Sequence, residues 1–134
     1  MARIPSRVRW IPVIIIAAIG ILTSTIVSPP SIAASVPVAS ATLLHVIGYF
    51  GFALAVAYAL APYRGSTQTK LLIAFLLPVC FGAIMEVAQS FFSHRVMSVE
   101  DVVTNAVGAG AGVVGWYLLG IRFDGILAGA RSIG

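Results

Sequence analysis

Four apolar runs, separated by short polar or Pro/Gly-containing stretches, take up most of this chain. They cover residues 10–27, 43–60, 71–92 and 102–119. Each is about 18 residues or longer, close to the roughly 20 that a helix needs to cross a bilayer. Only helices and closed barrels satisfy their backbone in lipid, and the runs lack the period-two alternation of barrel strands. The pattern therefore predicts an all-α fold: an integral membrane four-helix bundle, forming one domain over residues 1–134.

Composition points to the same solvent. Charged residues make up 9% of the 134 residues, against roughly a quarter in soluble domains. That is too few to cover a water-facing surface, so membrane lipids are the expected surroundings. The net charge of +4 does not suggest a nucleic-acid partner, because the eight basic residues are scattered between the apolar runs. Cys80 is the single cysteine, which excludes an intrachain disulfide and any multi-cysteine metal site. It reads as a small buried apolar residue. No metal and no cofactor is expected.

The first run invites comparison with a secretory signal, since Arg3, Arg7 and Arg9 precede it and Ser31 to Ser35 offer small residues beyond it. Its apolar stretch exceeds the usual 7–15 residues of such a signal, so a retained helix is expected. Lys and Arg in the short loops set the orientation. With a cytoplasmic N-terminus, the inner segments hold Arg3, Arg7, Arg9, Arg64, Lys70, Arg122 and Arg131, and the outer segments hold Arg95 alone. Both termini are expected to be cytoplasmic, in a multi-pass protein of the plasma membrane.

On that topology the remaining polar groups fall near the outer face. His45 opens the second run, Glu86 and Gln89 lie in the last turns of the third, and His94, Arg95, Glu100, Asp101 and Asn105 follow. At 1.5 Å rise per residue, Glu86 sits roughly 9 Å below the end of its run. Gly82, Glu86, Gln89 and Ser93 share one helical stripe, as do Asp101, Asn105, Gly108 and Gly112. His45, Gly48, Tyr49 and Phe52 fall on one face of the second run. Gly108 and Gly112 form a GxxxG pair, a close-packing surface. Gly82, Gly108 and Gly112 are thus candidate helix-packing positions, with homo-oligomerisation through the Gly108/Gly112 face a possible use.

A lone charge at the bilayer centre costs about 2.5–3.5 kcal/mol on insertion scales. Glu86 is accordingly expected to be paired with Arg95 or a histidine, or protonated, and the alternative to a functional role is a polar clamp fixing helix register. Ser98 and Asp101 have the spacing of a capping box. Asn105 lies too far into its helix to cap it and is expected to hydrogen-bond across helices. The tyrosines and tryptophans mostly suit interfacial anchoring or packing.

Taken together, the run from His45 to Tyr49 (H-V-I-G-Y), Glu86-x-x-Gln89 with Phe91, and Arg95-x-x-Ser98-x-x-Asp101-x-x-x-Asn105-x-x-Gly108 resembles the VanZ-like family over residues 41–115. Ala41 and Thr42 stand where that family often has an Asp-Lys pair. The resemblance implies a small membrane protein of the cell envelope. The family takes its name from a protein linked to low-level teicoplanin resistance, so antibiotic resistance is one role it allows.

Three functions fit these residues. His45, Glu86, Gln89, Arg95, Asp101 and Asn105 would bind the polar head of an amphiphilic envelope molecule, with Arg95 as its anion contact. Alternatively, Glu86 or His45 would act as general base in a membrane enzyme working on a lipid head group, with Arg95 stabilising negative charge and Asp101 orienting. The third reading is a structural subunit or small-solute conduit.

Overall fold

The computed structural model describes residues 5–26, 38–92 and 98–131, and near the ends of these segments, including everything beyond residue 120, the backbone alone. A 3-10 turn at Val8–Trp10 leads into α1 (Ile11–Ile26); α2 (Val38–Leu60), α3 (Thr67–Phe92) and α4 (Val99–Arg131) follow. No strand occurs among the described residues.

α3 and α4 outrun their apolar runs because polar residues form their first turns. α3 begins at Thr67 rather than 71: Ser66 caps it, its Oγ accepting the Thr69 N–H at 3.1 Å, and its carbonyl accepting the Lys70 N–H at 3.2 Å. Gly65, at φ 142°, supplies the left-handed step into that cap. α4 begins at Val99 and continues well past 119. Hydropathy marks the lipid-matched part of a helix; capping and hydrogen bonding set where it ends.

Three stretches are long and apolar enough to cross a membrane: Thr42–Leu60, Thr67–Phe91 and Val99–Gly120. The apolar helix at Val8–Thr23 is shorter, so the first of the four expected spans falls below that length within the described residues.

α2 is the axis of the bundle. Phe52, Ala53, Ala55, Val56, Ala57 and Ala59 are all buried, and α1, α3 and α4 each pack against it. Small side chains on the core helix allow close approach, which is how helices associate in lipid, where apolar burial gives little drive. Larger side chains point outward instead: Ile14, Leu44, Ile84, Val107 and Leu118 are each more than half exposed. Such an apolar exterior would be a liability in water and is ordinary in a bilayer. Cys80 is also exposed, a correction to its reading as a buried residue.

Gly108 and Gly112 fix the α2–α4 pair. A Cβ on Gly108 would lie 2.5 Å from the Val46 carbonyl oxygen, and one on Gly112 would lie 2.6 Å from that of Phe50. Both glycines are buried against the chain's own α2. The same surface is therefore not available to a second copy, which removes the physical basis for homo-oligomerisation through the Gly108/Gly112 face. Gly48, in contrast, is exposed with nothing within 4 Å of its would-be Cβ, so it does not share the inward face of His45 and Tyr49.

Candidate functional site

The polar side chains of α2, α3 and α4 meet at the end of the bundle where α3 finishes and α4 starts. Two of them are buried: Glu86 at 6% exposure and Asn105 at 1%. Buried polar groups require partners, and both have them. His45 Nδ1 donates to Asn105 Oδ1 at 3.1 Å, since an amide oxygen only accepts. In the neutral ring the lone pair then belongs to Nε2.

Glu86 does something the sequence pattern does not announce. Its Oε2 accepts the backbone N–H of Ser98 at 3.3 Å, while Ser98 Oγ accepts the N–H of Asp101 at 3.1 Å. In a capping box the N3 side chain reaches back to the N-cap N–H. Here Ser98 is that N-cap and Asp101 is N3, but the return bond comes from Glu86 on α3. A carboxylate is also the favoured group beside a helix N-terminus, whose dipole end is positive. Glu86 thus ties α3 to the start of α4.

Tyr49 joins the cluster, one turn along α2 from His45, with the two ring centroids 6.3 Å apart. A Cβ on Gly82 would come within 2.6 Å of both the Tyr49 hydroxyl and Asn105 Nδ2. Gly82 is thus the opening in α3 that admits both groups. Tyr49 reads in the sequence as an anchoring or packing residue, although its i+4 spacing from His45 was the available signal. Beyond it, Phe52 stacks edge-on against Phe81 at 5.4 Å and closes the cluster off from the apolar core.

His45, Tyr49, Glu86, Ser98 and Asn105 are therefore brought together with Gly82 around them. Asp101 and Gln89 are half-buried, each one turn from a member of the cluster: Asp101 from Asn105 on α4, Gln89 from Glu86 on α3. Both carry interactions of their own. Arg95, with His94 and Ser93, lies outside the described residues. Among the described residues no three His, Cys, Asp or Glu side chains gather in a manner that would hold a metal ion. Chemically the site offers an imidazole, a phenol, an amide and a carboxylate, all held by neighbouring helices, a set suited to hydrogen-bonding a polar head group.

This architecture defines a class: a helical, multi-pass membrane protein whose buried polar residues, Glu86 and Asn105, lie at one end of the bundle. The family model of VanZ/LLP1 matches residues 5–120, and the chain belongs to that family. The match begins before α1, so the first helix is part of the family's domain as well as the 41–115 stretch that carries the recognisable motif. No curated protein and no solved structure matches the chain. Family and spans together make it a VanZ-like multi-pass protein of the plasma membrane.

Proposed function

We propose that the protein recognises or modulates an amphiphilic molecule of the cell envelope, taking its polar head at the His45–Tyr49–Glu86–Asn105 cluster from the non-cytoplasmic leaflet. The observation that carries this reading is the convergence of four polar side chains from three helices at one end of an otherwise apolar bundle. Intramembrane ionisable groups are costly and mark functional positions. Gln89, Asp101 and Arg95 would complete the contact surface, Arg95 meeting a phosphate or carboxylate as the one basic residue on that side. Lipoglycopeptide antibiotics, with a polar head and an acyl tail, belong to the class of ligand that fits.

Lipid mass spectrometry on the purified protein tests the proposal. An amphiphile should co-purify, and Glu86→Gln and Arg95→Ala should lose it while membrane abundance holds. Normal ligand retention in both variants would overturn the reading; loss of the protein itself would favour a purely structural clamp. The accompanying topology, both termini cytoplasmic, rests on the basic-residue bias. Single cysteines placed at positions 64 and 100 in a Cys80→Ala background should label from opposite sides, position 100 from outside.

A specific contact favours a second reading. With Nδ1 held by Asn105, His45 presents Nε2 as a possible general base, as a membrane enzyme acting on a lipid head group or lipid-linked precursor would require. Turnover of labelled envelope lipids by purified protein distinguishes it from simple binding.

A further inference from the structure

Among the described side chains, the opposite end of the bundle carries charge of one sign. Arg7, Arg9, Arg64 and Lys70 lie there, while the described acidic side chains, Glu86, Glu100 and Asp101, lie at the polar-cluster end. Among the described residues none of these four cations has a carboxylate partner.

Arg9 differs from the others in lying over an aromatic ring. Its guanidinium carbon sits 4.8 Å from the centroid of the Tyr58 ring, and its Nε is buried without a hydrogen-bond partner. The Nε edge therefore faces the protein, while the side chain as a whole keeps part of its surface exposed. Around it, Trp10 Nε1 donates to the Tyr63 hydroxyl at 3.1 Å, tying the turn before α1 to the loop after α2. Lys70 Nζ donates to the Ala61 carbonyl at 3.1 Å and braces the same loop. Ile11, Ile14 and Ile15, next along α1, face outward.

We propose that Arg9 and this aromatic frame bind the phosphate of an anionic phospholipid, whose acyl chains lie along the outward isoleucines of α1. The Tyr58 ring holds the guanidinium in place, and its terminal nitrogens can donate to phosphate oxygens. Trp and Tyr at this level suit the head-group region of a bilayer, and basic pockets between membrane helices are recognised lipid head-group sites. The chemistry is that of a phosphate group, which a lipid or a free anion could supply; the apolar surface beside it selects the lipid.

The test uses the full chain in phosphatidylcholine nanodiscs titrated with phosphatidylglycerol, with bound lipid counted by native mass spectrometry. Wild type should retain phosphatidylglycerol in preference to phosphatidylcholine, and Arg9→Gln should weaken that retention about fivefold, the equivalent of about 1 kcal/mol for one basic residue. Arg9→Lys should recover part of it, since an ammonium keeps the charge and loses the paired terminal nitrogens. Arg64→Gln, exposed and unstacked, should lose less than Arg9→Gln. Equal retention of the two lipids by wild type overturns the proposal without any variant. So does an Arg64→Gln loss as large as that of Arg9→Gln. Displacement of phosphatidylglycerol by inorganic phosphate at comparable concentration would show a free-anion site and overturn the assignment to lipid.

Discussion

Adding one methyl group at Gly108 separates packing from every other influence on this fold. The alanine Cβ would start 2.5 Å from the Val46 carbonyl oxygen and 3.1 Å from Val46 Cα, both backbone atoms of α2. A carbon–oxygen contact settles no closer than about 3.3 Å, so the helices must part by about 0.8 Å. No rotamer change can absorb this, because the obstruction is main chain. A gap of that size forfeits a quarter to a half of each dispersion contact across the seam, and overpacking of this kind typically costs about 1–3 kcal/mol. Against it stands the helical preference of Ala over Gly, about 1 kcal/mol. A net loss of up to about 2 kcal/mol follows.

Gly51 supplies the control. It lies on α2 with nothing within 4 Å of its would-be Cβ, so Gly51→Ala should leave stability unchanged or raise it by up to about 1 kcal/mol. Equilibrium unfolding in mixed micelles titrated with a denaturing detergent measures both. Gly112→Ala, whose Cβ would meet the Phe50 carbonyl oxygen at 2.6 Å, should behave like Gly108→Ala. If Gly108→Ala proves as stable as Gly51→Ala, backbone contact between α2 and α4 is not what holds the bundle.

The remaining predictions concern the polar cluster. Glu86→Gln keeps an acceptor for the Ser98 N–H and should preserve the fold, whereas Glu86→Leu orphans that donor and should cost about 1–3 kcal/mol in the same unfolding titration. Ser98→Ala removes the cap on the Asp101 N–H and should cost about 0.5–2 kcal/mol, with the amides of the first turn of α4 exchanging faster in hydrogen-exchange mass spectrometry. Asn105→Leu should cost about 0.6 kcal/mol, up to about 1.7, for one interhelical hydrogen bond in a membrane, and should abolish ligand retention. Gly82→Ala should likewise impair ligand retention, because its Cβ meets the Tyr49 hydroxyl and Asn105 amide rather than main chain; the co-purified lipid profile reads it.

Helix number and identity were legible in the sequence because lipid demands long apolar runs, and the polar residues stood out against them. The face assignments for Gly82, Glu86, Asn105 and Gly108 followed from helical periodicity alone. The start of α4 was legible in the Ser98–Asp101 capping spacing, whereas Ser66 starts α3 ahead of its apolar run through hydrogen bonds that leave no trace in hydropathy. The role of Glu86 toward Ser98 was hidden for a related reason: a capping box is a local pattern, and here one half of it is supplied by a residue twelve positions away. Cys80 and Gly48 were misplaced because inside and outside are both apolar in a membrane protein, so residue type does not tell which way a side chain faces. The standing of Arg9 apart from the other arginines depends on a tertiary contact with Tyr58 that charge counting cannot see.

Helix packing and the polar cluster are one arrangement here, carried by a single stripe of α4. Its deeper part, Gly108 and Gly112, lets α2 come to backbone contact; its upper part, Asn105, meets His45 of that same helix. Asn105 and Gly108 are three positions apart, less than one turn, so the spacing of the two helices at the glycine sets the reach of the amide. At the far side Gly82 does the same for α3, leaving room for two polar side chains where any larger residue would exclude them. A soluble protein can hold such groups in place with a large apolar core. In lipid, where a core gives little drive for association, the close approach of small residues has to position the polar atoms, and the site is only as well defined as that approach is rigid.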